Sequence, residues 1–211
     1  HVPWMKTHMK MIKEDTLPGP EARFAQAEIA AEELIKAGFL RIGLDHFAHP
    51  DDSMAKAFKD DNLHRNFQGY PVDDAAALIG FGASAIGSLP AGYVQNHAAT
   101  HQYAEAVNAG ILPVGKGIAL DDDDRVRREV ISQLMCHLKV DLDDVTARYN
   151  IAPNYFAAEL DKMAEFEAAG LLTRTGNAIA LTETGRIFMR PVAATFDSWL
   201  GKGQGKHSAA V

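Results

Sequence analysis

The sequence predicts an α/β protein whose last third is mostly helical, and three observations support this prediction. Helix-like and strand-like segments alternate as far as residue 120, an order typical of α/β units. Longer amphipathic helical patterns then follow one another. Gly176 and Asn177 form a turn dipeptide between two short apolar runs, which indicates a β-hairpin. We therefore expect a domain boundary near residue 120.

The first 120 residues divide into elements by periodicity and turn residues. Residues 21–37 predict an amphipathic helix, because Pro20 precedes its apolar stripe and Gly38 follows it. Residues 39–44 predict a strand, and residues 77–82 predict a strand buried in a parallel sheet, followed by a glycine-rich loop. The other predicted elements are helices at 51–61 and 97–110 and extended segments at 63–67 and 111–120.

Residues 121–200 predict three helices, a hairpin and a last helix. The first helix, 121–138, begins with four aspartates, which suit the positive end of a helix dipole. Pro191 is expected to kink the last helix, 182–200. The tail, 201–211, is expected to be disordered. Three helices followed by a two-stranded wing resemble a winged-helix arrangement, and the remaining elements are helices at 141–150 and 154–170 and strands at 171–175 and 178–182.

Composition and charge exclude several classes of protein. The formal net charge of −7 argues against a nucleic-acid surface, which needs a basic face to displace counterions. Residues 75–104 lack Asp, Glu, Lys and Arg, but they hold too many glycine and polar residues for a membrane-spanning helix. A single cysteine, Cys136, and the lack of an apolar signal segment suit the cytoplasm. The abrupt apolar start at His1 indicates a fragment.

The segment DHFAHPDD, residues 45–52, concentrates two histidines and three carboxylates, and it admits more than one interpretation. The histidines precede a proline in a segment too little helical to bring them together on a metal ion. The favoured interpretation is structural: Asp45 and His46 end a strand, and Asp51 or Asp52 caps the next helix. A metal-dependent hydrolase remains a further alternative.

Two features of the first helix after residue 120 also have structural interpretations. Consecutive carboxylates such as 121–124 do not converge on one ion, and an acidic first turn is common in helices. The arginines that follow are expected to pair with these acids or to form a solvated face; they are Arg125, Arg127 and Arg128. Cys136 is expected to be a buried packing residue rather than a nucleophile.

Four stretches, taken together, resemble a known enzyme family. They are GLDHFAHPDDSMAKAF, LHRNFQGY, LIGFGASAIGSL and GIALDDDDRVRREVISQLMC, in this order. They resemble the C-terminal half of the oxygen-independent coproporphyrinogen III oxidases of haem biosynthesis, which are radical S-adenosylmethionine (SAM) enzymes. The resemblance covers most of the chain, and HRNFQGY is its most specific part.

The resemblance implies a fold and a reaction. Residues 1–120 would form the C-terminal part of a partial (β/α) radical SAM barrel, and residues 121–200 a helical domain with a β-hairpin wing. The family oxidatively decarboxylates two propionates of coproporphyrinogen III to vinyl groups, which gives protoporphyrinogen IX. It uses SAM, a [4Fe–4S] cluster on a CxxxCxxC loop, and an electron acceptor. We expect the parent protein to be a cytoplasmic monomer that binds neither nucleic acid nor membrane.

The resemblance also implies site residues. Phe67, Gln68 and Ile86 match residues that line a second SAM position in the family. Arg65 is a candidate for binding a carboxylate of the tetra-acid substrate, with a surface salt bridge as the alternative. Asp45 and His46 are further substrate candidates, since functional residues collect at the strand C-termini of barrels. No catalytic residue and no metal ligand are assigned.

Each of these assignments has a competing interpretation. Phe67 could merely pack within its loop, and the glycines of GFGASAIGS could serve only close packing. The single cysteine cannot supply the three thiolates that the cluster needs, so the isolated chain is expected to be inactive. The main alternative function assigns residues 121–200 to a winged-helix module that binds protein or nucleic acid, although that region is rich in acids.

Overall fold

The computed structural model describes residues 7–202, in which helices alternate with three small sheets. Two 3-10 helices, Thr7–Met11 and Glu14–Thr16, come first. The elements that follow are α1 (Pro20–Lys36), β1 (Leu40–Ile42), β2 (His46–Ala48), α2 (Ser53–Lys59), β3 (Ile86–Leu89), β4 (Gly92–Asn96), α3 (Thr100–Asn108), β5 (Val114–Ala119), α4 (Asp122–His137), β6 (Lys139–Asp141), α5 (Leu142–Arg148), α6 (Ala157–Ala168), β7 (Leu172–Thr175), β8 (Ala178–Leu181), α7 (Glu183–Arg186) and α8 (Met189–Ala194).

The predicted first helix is confirmed as α1, but its apolar stripe is only partly covered. Ala31 is buried, whereas Phe24 is 39% and Ile35 53% exposed. The helix ends before Gly38, whose φ of +90° turns the chain toward β1. Glycine adopts this backbone region without the steric cost that a Cβ would add.

The DHFAHPDD segment forms a hairpin and a helix cap. β1 ends at Ile42, and Asp45 lies in the turn that leads to β2, so the prediction that Asp45 and His46 end a strand is wrong. His46 instead begins β2, opposite Ile42. The second half of the prediction is confirmed, because the Asp52 side chain accepts a hydrogen bond from the Met54 backbone N–H at 2.8 Å.

The buried parallel strand predicted for residues 77–82 is wrong. Only Leu78 pairs with a strand, through a bridge to Ser88, and Ile79 and Phe81 are 68% and 88% exposed. The strands lie further along, where a loop was expected: β3 and β4 form a hairpin, and β5 adds to β4. All strand pairs among residues 7–202 are antiparallel, so the predicted parallel pairing does not occur there.

The three predicted helices and the hairpin after residue 120 are confirmed as α4, α5, α6, β7 and β8. At the start of α4, Asp121 and Asp124 form a reciprocal capping box, in which each carboxylate accepts the other residue's backbone N–H. The short strand β6 was not predicted; it pairs with β8, so the sheet order is β6-β8-β7. Fully buried apolar residues from these helices and strands form the larger core of the molecule.

The last predicted helix, 182–200, is two short helices rather than one kinked helix. Thr182 caps α7 by accepting the Gly185 N–H at 2.9 Å, and the chain then breaks before α8. Pro191 is the third residue of α8, where a missing N–H costs no intrahelical hydrogen bond. Pro191 therefore sits at a permissive position, and the predicted kink is wrong.

Buried polar contacts join the two parts of the chain. The Arg186 guanidinium on α7 donates to the carbonyl oxygens of Arg41 and Gly43 at 3.3 Å. Cys136 on α4 is fully buried, as predicted, within the smaller core around Ile42. The helical part thus completes the core of the first part, and α4 belongs to both.

Two further sequence predictions concern membrane-spanning helices and the C-terminal tail. No helix within residues 7–202 combines the length and the apolar character needed to cross a bilayer. Of the predicted disordered tail, residues 203–211 lie outside the described residues.

Candidate functional site

A cavity of about 810 Å³ opens between the HRNF loop and the helical part of the chain. Its volume lies within the range of roughly 300–1,000 Å³ that is usual for small-molecule pockets. Residues 64–67 and the following loop form one wall, the β3–β4 turn forms another, and side chains of α4 and α8 close the cavity. The cavity therefore lies between sequence regions on both sides of residue 120.

Two aromatic rings stand at this cavity. Phe67 is 56% exposed, and its ring meets that of Tyr93 edge-on, with 5.3 Å between centroids. The guanidinium carbon of Arg128 lies 6.0 Å from the Tyr93 centroid. Tyr93 was missed in the sequence because β4 was taken for a loop. Its period-two spacing with Gln95 was the available signal.

Ile86 shares a sheet face with Tyr93 but does not line the cavity. Ile86 pairs with Gln95 and Ser88 with Tyr93, and directly opposed side chains in an antiparallel pair project to the same face. Gln68 does not line the cavity either; it is exposed, and its backbone N–H donates to the Asn66 side chain at 2.8 Å. Of the three SAM candidates, only Phe67 faces the cavity directly.

The loop GFGASAIGS is held by side chains from β4. The Asn96 amide donates to the carbonyl oxygens of Gly80 and Gly82 at 3.0 and 2.9 Å. A Cβ at Gly80 would lie 3.0 Å from the Ile86 carbonyl oxygen, a tighter approach than side chains normally make. These contacts support close packing as the role of the glycines.

The three substrate candidates form one contiguous cluster around Tyr70. The Arg65 guanidinium carbon lies 5.0 Å from the centre of the Tyr70 ring, and the His46 ring packs edge-on against the same ring at 5.0 Å. Asp45 Oδ1 lies 2.9 Å from His46 Nδ1. Arg65 lines the cavity, whereas Asp45 and His46 do not.

Tyr70 connects this cluster to the helical part. Its hydroxyl donates to the Met135 carbonyl oxygen on α4 at 3.1 Å and accepts the Leu44 N–H at 3.4 Å. Burial raises the pKa of the Tyr70 hydroxyl, despite the nearby Arg65 charge that opposes the shift. The neutral hydroxyl therefore remains available as a donor at physiological pH.

The arginines of α4 divide into paired and unpaired groups. Arg125 and Arg127 pair with Asp122 and Asp123, as predicted, at 2.6 and 2.8 Å. Arg128 has no carboxylate within 4.0 Å among the described residues and lines the cavity instead. Sequence spacing could not separate these roles, since all three arginines follow the same acidic run.

The residues present do not fit an iron–sulfur cluster. Burial raises the pKa of the Cys136 thiol to about 11, whereas metal ligation requires a thiolate. Within residues 7–202, no group of three or more His, Cys, Asp or Glu residues is placed to hold a metal ion. No step of a reaction is therefore assigned to a cluster within this chain.

Comparison with known proteins identifies the helical part. Residues 120–188 match the family model described as the HemN C-terminal domain. The matched region begins just before α4 and includes Arg128, which lines the cavity.

Curated relatives match the whole chain. An oxygen-independent coproporphyrinogen III oxidase from Bradyrhizobium diazoefficiens is 44% identical over all 211 residues, which span 47% of that relative. One from Synechocystis is 38% identical over 95% of this chain and 44% of its own length. The chain thus spans slightly less than half of these relatives and corresponds to their C-terminal half.

A solved structure shows the same fold. The radical SAM coproporphyrinogen III oxidase from Escherichia coli, HemN, has a TM-score of 0.89 and 34% identity to this chain, over 94% of this chain and 46% of that protein. The predicted α/β fold class is therefore confirmed, although the sheets among the described residues are antiparallel.

Proposed function

We propose that this chain is the C-terminal half of an oxygen-independent coproporphyrinogen III oxidase and forms one wall of its substrate and cofactor cavity. The single observation that carries this proposal is the cavity of about 810 Å³, which Phe67 and Arg65 of HRNFQGY share with the HemN C-terminal domain. In this proposal, residues 1–120 would be the C-terminal portion of the barrel and residues 121–200 the helical domain, and the cavity would lie between them. The complete enzyme would convert two propionates of coproporphyrinogen III to vinyl groups, as a cytoplasmic monomer that uses a separate electron acceptor.

A chimeric enzyme tests this function. In the chimera, this chain replaces the C-terminal half of the Bradyrhizobium diazoefficiens relative. We expect the chimera to support anaerobic formation of protoporphyrinogen IX, because 44% identity preserves the packing of the two halves. The product is measured by its fluorescence after oxidation to protoporphyrin.

The controls are the unmodified relative and this chain alone, supplied with iron, sulfide, SAM and reductant. We expect no SAM cleavage by the chain alone, since one cysteine cannot supply three thiolates. A chimera that assembles its cluster yet yields no product would contradict the proposed function. SAM cleavage by the chain alone would contradict its predicted inactivity.

Phe67 has the exposure that a SAM contact requires. Its ring is oriented by Tyr93 and remains 56% exposed at the cavity, so a flat adenine or a sulfonium cation could meet it. Gln68 and Ile86 do not line the cavity, so they would contact only a SAM that extends beyond it. The Gln68 side-chain amide has no hydrogen-bond partner among the described residues and would bind polar groups of such a SAM, and Ile86, on the same sheet face as Tyr93, would add an apolar contact. A SAM bound here would occupy the family's second SAM position, whereas the radical would come from the SAM that the cluster of the complete enzyme cleaves.

Replacing Phe67 with alanine is expected to weaken SAM binding to the chain by roughly tenfold, the order of magnitude of one lost aromatic contact. Isothermal titration calorimetry measures the change. Phe81→Ala is the matched control, because Phe81 is 88% exposed and does not line the cavity. Equal dissociation constants for the two variants, or no SAM binding by the unmodified chain, would remove Phe67 from the site.

The contacts of the wing disfavour nucleic-acid binding, the main alternative. Arg174 on β7 is held by Glu167 at 2.8 Å, and Arg186 on α7 is buried beside Glu183 at 3.0 Å. Neither cation is free to meet a phosphate, which is the contact that dominates nucleic-acid affinity.

A further inference from the structure

We propose that Arg65, Arg128 and Arg190 together bind the carboxylates of a tetracarboxylate tetrapyrrole in this cavity. The inference rests on the proposed function and extends it, since it assigns two of the three anchoring residues to the helical domain. Arg65 lies in the HRNFQGY loop, Arg128 on α4 and Arg190 on α8. Three separate elements therefore direct a guanidinium to one cavity.

These arginines differ from most others by lacking an acidic partner. Among residues 7–202, six arginines lie within 4.0 Å of a carboxylate, namely Arg41, Arg125, Arg127, Arg148, Arg174 and Arg186. The other four arginines of this region have no carboxylate within that distance, and three of them, Arg65, Arg128 and Arg190, line the cavity. Unpaired guanidinium groups that converge on one hollow are a suitable arrangement for an anionic ligand.

Aromatic rings orient two of the three cations without neutralising them. Arg65 lies over Tyr70 at 5.0 Å, and Arg128 lies over Tyr93 at 6.0 Å. A ring face attracts a guanidinium but does not compete for its N–H donors as a carboxylate would. Both side chains are also half-buried, which reduces the entropy lost when a ligand binds.

The acidic residues of the cavity are already engaged. Their carboxylates would oppose an anion if they were free, but each has a partner or a close neighbour. Glu129 pairs with Arg148 at 2.7 Å, Asp73 accepts the Ala75 N–H at 3.2 Å, Asp197 accepts the Trp199 N–H at 2.8 Å, and Asp74 lies 3.9 Å from His64 Nε2. Only Glu129 is neutralised by a cation, whereas the three aspartates keep their charge but are turned to local hydrogen bonds or lie near His64.

The ligand class follows from the mixture of surfaces. A porphyrinogen has an apolar macrocycle with carboxylates at its rim, so it needs apolar contacts in the middle and cations around them. Phe67, Leu89 and Met135 line the same cavity as the three arginines. A guanidinium can bind a carboxylate through two parallel hydrogen bonds, which a single ammonium cannot reproduce.

Fluorescence titration of the 211-residue chain with coproporphyrin III, the stable oxidised form, tests the assignment. We expect Arg128→Gln and Arg190→Gln each to weaken binding by roughly tenfold, the scale of one lost charge-assisted contact. Arg23→Gln should bind like the unmodified chain, because Arg23 also has no acidic partner within residues 7–202 but lies exposed on α1, away from the cavity. Coproporphyrin III tetramethyl ester, which has no charge, should bind weakly and equally to all four proteins.

Arg128→Lys and Arg190→Lys keep the positive charge and control for misfolding of the glutamine variants. Their affinity for coproporphyrin III is expected to lie between those of the unmodified chain and the glutamine variants. The inference is overturned if the glutamine variants match Arg23→Gln, if the ester binds as tightly as the acid, or if the unmodified chain does not bind coproporphyrin III. Each of these results leaves the chimera assay free to succeed. Conversely, an inactive chimera beside arginine-dependent porphyrin binding would reject the proposed oxidase function and retain this site.

Discussion

Replacing Arg127 with alanine is expected to lower the free energy of unfolding by about 3–5 kcal/mol, because it leaves a largely buried carboxylate without its cation. Arg127 joins two acids from different helices, Asp123 on its own helix at 2.8 Å and Glu159 on α6 at 2.7 Å. Only 13% of the Glu159 side chain is exposed. The guanidinium also donates to the Phe196 carbonyl oxygen at 3.2 Å, so three segments lose a common anchor.

The charge of Arg127 persists over the whole accessible pH range. Burial alone would lower the pKa of its guanidinium, but hydrogen bonds with Glu159 and Asp123 outweigh burial and raise that pKa. The loss in stability should therefore be nearly constant between neutral and mildly alkaline pH.

Urea unfolding followed by circular dichroism measures the effect, and Arg125→Ala is the matched control. Arg125 pairs with Asp122, whose side chain is 99% exposed, so its removal should cost less than about 1 kcal/mol. Similar midpoints for the two variants would show that the buried pair does not hold α6 against α4.

Gly185→Ala is expected to destabilise the chain by about 3 kcal/mol, at the upper end for overpacking by one methyl group. A Cβ at this position would overlap the Leu171 carbonyl oxygen. That oxygen belongs to the backbone and accepts the Thr182 N–H at 3.0 Å, so it cannot move without breaking a hydrogen bond. Either α7 shifts or the start of β7 does.

Thermal unfolding of Gly185→Ala beside Gly19→Ala measures this cost. Gly19 precedes α1 with an ordinary φ of −66°, and nothing lies within 4 Å of a Cβ placed there. We expect the control to unfold at nearly the temperature of the unmodified chain. An unchanged transition for Gly185→Ala would mean that α7 tolerates displacement from β7.

Local signals in the sequence determined most of the helices and their ends, although not those of the last predicted helix. Pro20 and Gly38 bracket α1, Asp52 caps α2 and the aspartates cap α4, since these interactions span only a few residues. The turn dipeptide likewise placed the β7–β8 hairpin. The motif HRNFQGY also identified Phe67 and Arg65, both of which line the cavity.

Tertiary structure alone decided the sheets and the composition of the cavity. Whether residues 77–82 or 86–96 form strands depends on which backbone groups find partners, and short apolar runs carry no such information. Likewise, Arg127 and Arg128 are adjacent and chemically identical, yet one is enclosed by two acids and the other faces the hollow. Their neighbours come from α6, α8 and β4, distant in sequence, so only the packing of those elements assigns a role to each.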